Sequence, residues 1–298
     1  MTDTSSPFPS TPHGRFGRRL ACLVAFFVLA IAGSTLAGPA TAATPAPCPE
    51  AGKADFLQGE VPRFVARLGH SRLLRIVTIG SSSTAGAGAS SQANSYPSQL
   101  ESDLERRFPG RDIDVINAGA NGQEAPDMLA RLDRDVLAHA PDLVIWQFGS
   151  NGLMRGRPLA EMEEAARIGI ERLRQAGIEV MLMDLQHAPR IDGMPERDQV
   201  LRMMERLSVS SGAALFHRYQ MMKAWATALG SGYAQMVSAD QLHMTDTSYR
   251  CMADALASNL QRASVQRAAR RRSGNLAAVT FPLQPTRSAT PLSRPASP

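Results

Sequence analysis

Five short runs rich in β-branched and other apolar residues constrain this chain more than any other feature. They are Leu73–Ile79, Asp114–Asn117, Leu143–Phe148, Ile178–Asp184 and Ala213–Phe216. The first reads LLRIVTI and the third LVIWQF, nearly without a polar break. Strands of that kind are covered on both faces, which is the habit of parallel sheets. Helical patterns separate them. Tyr96, Leu100, Leu104 and Phe108 recur every four residues behind Pro97, and Met128, Leu129, Leu132, Val136 and Leu137 mark a second helix. A third helix opens at Pro158 and stops at Gly177. Glu196–Ser208 and 246–265 supply two more. Strand alternating with helix predicts one α/β domain with helices on both faces of the sheet. Ligands in such folds lie beyond the carboxyl ends of the strands.

The ends of the chain read differently. Arg15, Arg18 and Arg19 precede an apolar run from Leu20 to Ala32, and Ala40-Thr41-Ala42 follows as a small-x-small site. This is the layout of a secretory signal cleaved after Ala42, and it predicts a secreted or periplasmic protein. The run is short for a membrane span. Residues 262–298 carry seven Arg, no acid and five Pro. That composition predicts an Arg/Pro-rich disordered tail. The expected divisions are a signal over 1–42, an N-terminal extension over 43–70, a catalytic domain over 71–265 and a tail over 266–298.

Charge follows the same division. The formal net charge is +5 and the pI about 9.5. Yet residues 43–261 hold 22 Lys and Arg against 26 Asp and Glu. An acidic body argues against nucleic acid as a partner, because phosphate contacts need a basic surface. The tail retains an anionic envelope polymer or lipid as a candidate contact, beside the plainer reading of a solvated tail. Removal of the signal leaves two cysteines, Cys48 and Cys251, and an oxidising compartment permits a bridge between them.

Four segments carry chemistry at the strand ends. Gly80-Ser81-Ser82-Ser83 follows the first strand, Asn117 to Gly122 the second, and Gly149-Ser150-Asn151 the third; Asp240-Gln241-Leu242-His243 precedes the last helix. A serine hydroxyl is a weak nucleophile and needs a base. An imidazole such as His243 titrates near neutrality and suits that task. Asp240 stands where a carboxylate would orient the ring. Backbone N–H groups at a glycine turn and an Asn amide suit a developing oxyanion.

In this order the four blocks resemble the SGNH hydrolases, also called GDSL esterases and lipases. The likeness runs from about Leu73 to Ala257. It implies a flavodoxin-like three-layer α/β/α sandwich with a five-stranded parallel sheet, no cofactor and no metal. It implies Ser82 as nucleophile, His243 as base and Asp240 as its orienting acid. Ser82, Gly122 and Asn151 take the oxyanion positions. Two residues depart from the family pattern: Ser81 stands where Asp is usual, and Gly152 where Asp usually follows the Asn. Both acids normally help fix loops, so loop order is what the departures touch. Ser81 and Ser83 are the fallback nucleophiles.

The expected activity is that of an exported carboxylic ester hydrolase acting on short acyl esters through an acyl-enzyme. Small esters and O-acetylated envelope or extracellular glycans are the expected substrates. An acyltransferase, a lipase or thioesterase for longer chains, and a non-catalytic envelope-binding protein are the rivals. Met154, Gln186 and His187 follow strands three and four and are expected to face the substrate.

Overall fold

The computed structural model of the chain describes residues 47–50 and 55–279, with side chains described as far as residue 270. The expected signal segment and residues 280–298 of the tail lie outside the described residues.

The sheet is built from β1 (Leu57–Gln58), β2 (Leu73–Gly80), β3 (Asp112–Gly119), β4 (Leu143–Gln147), β5 (Glu179–Met183) and β6 (Ala214–Phe216), in the order β1-β6-β5-β4-β2-β3. Strands β2 to β6 are parallel. The sheet has six strands, not the five expected. The addition is β1, a two-residue strand that pairs antiparallel with β6. Two residues are too few to carry a periodic pattern, so nothing in the sequence marks it.

The helices are α1 (Pro62–His70), α2 (Ser82–Ala85), α3 (Tyr96–Arg107), α4 (Ala125–Ala130), α5 (Leu132–Asp135) and α6 (Ser150–Met154). Then follow α7 (Leu159–Gln175), α8 (Pro189–Asp192), α9 (Arg197–Ser211), α10 (Arg218–Leu229) and α11 (Asp246–Val279). Side chains alternate across a strand, so each strand feeds two cores. Leu74, Ile76, Leu143, Ile145, Met181 and Met183 face one side, with Leu100 and Leu104 of α3 and Met252 and Leu256 of α11. Val77, Ile79, Val144, Trp146, Val180 and Leu182 face the other, with Met128, Ile170, Leu173 and Met203 from α4, α7 and α9. The result is a three-layer sandwich.

Part of the segment 43–70, expected as an extension, is built into this body. Phe64, Val65 and Leu68 of α1 are buried in the first core. Their spacing of three and four is helical, and it is the signal by which they are recognisable. At the other end α11 runs to Val279, past the boundary expected at residue 265. Cys48 and Cys251 are joined, with Cα atoms 5.3 Å apart and 203 residues between them in sequence. In the chain-entropy account, closing so long a loop stabilises the fold by about 5 kcal/mol.

The strand order reverses at β2. The chain steps from β2 outward to β3, then returns to the other side of β2 as β4. Such a switch point opens a crevice at the carboxyl ends of the strands.

Candidate active site

Ser82, Gly122 and Asn151 follow β2, β3 and β4 at that crevice, and the loop before α11 brings His243 to it. The structure brings together the residues singled out in the first and last blocks. His243 Nε2 lies 2.7 Å from Ser82 Oγ, and Nδ1 lies 2.5 Å from Asp240 Oδ2. Neither of the neighbouring serines takes that place. Ser81 and Ser83 are buried, and the Ser81 hydroxyl donates to Gln147 Oε1 at 3.0 Å.

Asp240 is locked by its own turn. Its Oδ1 accepts from Ser238 Oγ at 2.6 Å and from the backbone N–H groups of Leu242 and His243, each at 2.9 Å. Partial burial pushes this carboxyl up. Hydrogen bonds from Ser238, His243 and Leu242 outweigh that and hold it well below the usual carboxylate range. An ionised carboxylate only accepts, so the bridging proton sits on Nδ1 and leaves Nε2 to accept from Ser82.

The approach of these loops depends on glycine. A side chain at Gly119 would place its Cβ 2.2 Å from Ala85 N, so β3 closes on α2 only because none is present. Gly88 has φ +89°, and a Cβ there would lie 2.4 Å from Met244 O and 2.9 Å from His243 Cβ. The chain leaving Ser82 thus packs against the loop of His243.

The expected donors are the Ser82 N–H, the Gly122 N–H and the Asn151 amide. Among the described residues, neither the Ser82 N–H nor the Gly122 N–H donates to a protein group. Asn151 is largely buried and spends one amide hydrogen on Gln123 O at 2.9 Å, which leaves the other for a ligand.

Gln147, Arg131 and Glu124 build the site, though sequence reasoning passed over all of them. Gln147 Oε1 takes Ser81 N–H at 3.0 Å and the Thr84 hydroxyl at 3.1 Å, besides the Ser81 hydroxyl, and so pins the turn that carries Ser82. Arg131 donates to Gln123 Oε1 at 2.6 Å and to Gly80 O at 3.2 Å, tying the first block to the second. Arg155 donates to Gly122 O at 2.7 Å and to Glu124 Oε1 at 2.8 Å, and Arg157 grips the other oxygen of Glu124. Burial pushes Glu124 up, but bonds from Arg157 and Arg155 outweigh it and hold the carboxyl below its ordinary value. The departure at Gly152 is also accounted for. A Cβ there would lie 2.3 Å from Met162 Sδ and 3.5 Å from Glu124 Oε2. Glu124 already supplies a carboxylate at that spot.

The three residues expected to face substrate are placed differently. Gln186 is 1% exposed and its amide is committed within the protein, so it is not a ligand contact. It follows strand four as expected, but its side chain turns inward. His187 sits edge-on to Tyr219, with ring centres 5.3 Å apart, and its Nδ1 lies 2.9 Å from Asp192 Oδ2, off the line of a hydrogen bond. Met154 is half-buried against the second core. Among the described residues no group of three His, Cys, Asp or Glu is arranged to hold a metal.

The profile of the non-GDSL lipase-like family matches residues 47–266. The chain belongs to that family. Its Gly80-Ser81-Ser82 turn, held by Gln147 with no acid at the second position, accords with the name. An arylesterase of Vibrio mimicus is 30% identical over 115 residues, covering 39% of this chain and 56% of that protein. A two-domain esterase active on acetylated mannans is similar in fold, with TM-score 0.59 and 18% identity over 72% of this chain and 57% of that one. An acetylxylan esterase from Geobacillus stearothermophilus gives TM-score 0.54 and 20% identity over 63% of this chain and 94% of that one. The chain thus spans little more than half the length of the first two of these relatives. The fold is that of the SGNH hydrolases.

Proposed function

We propose that this protein is an exported serine esterase that removes short acyl groups, with O-acetylated glycans of the envelope or its surroundings as the substrate class. The unbroken line Asp240–His243–Ser82 carries the reading. Ser82 Oγ attacks the ester carbonyl while His243 Nε2 takes its proton. The Ser82 and Gly122 N–H groups and the free Asn151 amide hydrogen receive the oxyanion, each worth about 3 kcal/mol of barrier. Collapse returns the proton from His243 to the departing alcohol and leaves an acyl-serine. Water, deprotonated by the same imidazole, then frees the acid. Asp240 holds the ring and stabilises the imidazolium.

The open setting supports a bulky alcohol. The Asp240 side chain is 44% exposed and that of Arg155 is 55% exposed. Relatives named for aryl esters, acetylated mannans and acetylxylan support the same direction. The Cys48–Cys251 bond supports export, since such bonds persist in oxidising compartments. The Arg-rich tail supplies the charge for contact with an anionic envelope.

The decisive experiment follows hydrolysis of 4-nitrophenyl acetate and octanoate by the mature protein and its Ser82→Ala variant, with labelling by a fluorophosphonate. Acetate turnover above octanoate, with labelling lost in the variant, is expected. Equal rates for the two proteins would remove the nucleophile. A mature N-terminus elsewhere than Ala43 would remove the cleavage site.

A further inference from the structure

The most unusual polar group in the body lies beneath the site. Arg218, at the start of α10, is fully buried. Its Nη2 donates to Gln186 Oε1 at 2.8 Å, while Nε and Nη1 have no protein partner among the described residues. A buried cation so sparsely bonded is costly to keep.

The buried Asp184 carboxylate favours its charge, and what Arg218 holds gives a further reason for its retention. Gln186 Oε1 also accepts from Ser150 Oγ at 2.7 Å, and Gln186 Nε2 donates to Leu242 O at 3.4 Å. Ser150 precedes Asn151 in the chain, and Leu242 precedes His243. One buried amide therefore spans the element that carries the oxyanion donor and the loop that carries the base. An amide has two faces of nearly equal shape, one accepting and one donating. A guanidinium only donates, so Arg218 dictates which face turns to it. Oxygen then meets Arg218 and Ser150, and nitrogen meets the Leu242 carbonyl.

We infer that Gln186, oriented by Arg218, is a positioning residue that sets the register between Asn151 and His243. This rests on the esterase reading above. Neither side chain touches substrate. Their effect passes through the backbone of Ser150–Asn151 on one arm and Leu242–His243 on the other.

The two arms are separable by mutation. Gln186→Glu keeps both acceptor contacts, and its carboxylate gains charge from Arg218, but it has no hydrogen to give Leu242 O. Ser150→Ala frees the Asn151 arm alone. With 4-nitrophenyl acetate, each is expected to lower kcat about tenfold while KM stays within about twofold, since transition-state contacts are what change. Ser150→Ala is also expected to lose its effect in an Asn151→Ala background, where it has nothing left to position. Arg218→Met should lower kcat as Gln186→Glu does. If it fails to fold, the other two variants still decide the matter.

Equal fold losses for Ser150→Ala with and without Asn151 would overturn the inference and leave only a structural role. So would a rise in KM with kcat unchanged. A Ser82→Ala protein that still turns over would instead sink the esterase reading itself, so the two failures are distinct.

Discussion

The turn that carries Ser82 and the loop that carries Gly122 are neighbours on one rim, joined by the bond from Ala120 N to Gly80 O at 3.0 Å. Arg131 bonds both, to Gly80 O and to Gln123, but their main clamps differ in kind. A neutral amide, Gln147, gathers the Ser82 turn in a buried setting. The Gly122 loop is clamped mainly by charge, with Arg155 and Arg157 on Glu124. A neutral buried clamp is indifferent to salt and pH. An ionic clamp with an exposed arm is not. The Ser82 turn is therefore expected to respond less to salt and pH than the Gly122 loop does.

The largest expected contrast is catalytic. Ser82→Ala should reduce kcat for 4-nitrophenyl acetate by about 10⁴-fold or more, because the covalent path is gone. Asn151→Ala should reduce it by about 10²–10³-fold, the worth of one oxyanion donor. Equal losses in the two would erase the distinction between an indispensable group and a graded one. Next in size is Gln147→Leu. It strands the Ser81 N–H and two hydroxyls in a buried place, at about 3 kcal/mol of stability by urea unfolding. That loss should be the same at low and high salt. Glu124→Gln should act on activity first, lowering kcat several-fold with a small change in melting temperature. In the parent protein alone, raising salt to about 1 M, where the screening length is about 3 Å, should mimic part of that loss.

The smallest expected effect is on acid stability. Glu124 and Asp240 have carboxyls held below their ordinary values in the folded state. Groups of that kind add stability that is complete above the unfolded value near pH 4 and is lost as pH falls through the folded one. The unfolding free energy should therefore be level in the neutral range with respect to these groups and decline below about pH 4. Glu124→Gln should make the decline shallower, and Gln147→Leu should leave its slope unchanged. Parallel curves for Glu124→Gln and the parent would break the assignment of charge to the Gly122 loop.

The sequence made the sandwich legible because its strands are apolar on both faces and its helices on one. It also made the rim legible, since four chemically distinct blocks end successive elements. The supports were not legible. Gln147 stands in the run LVIWQF and reads as one more buried strand residue; only the pleat decides that it meets Ser81. Glu124 and Arg155 are 31 residues apart, and no spacing rule pairs a carboxylate with one arginine among thirty. Gln186 was legible as a rim position but not as an inward one, because strand-end side chains alternate in direction and a loop residue can turn either way. The helix of residues 62–70 carried a readable pattern, and its place in the core follows from Phe64, Val65 and Leu68.

The bond between Cys48 and Cys251 also sets an order of events. A chain is made from its N-terminus, and at about 5–20 residues per second the two thiols appear roughly 10–40 s apart. Every parallel strand of the sheet lies between them. The first thiol must wait, unpaired, while all five are laid down. The ring closes only when the last helix arrives to offer its partner. The bridge can form only after residue 251 has been made, and a chain cut short before it keeps Cys48 without this partner.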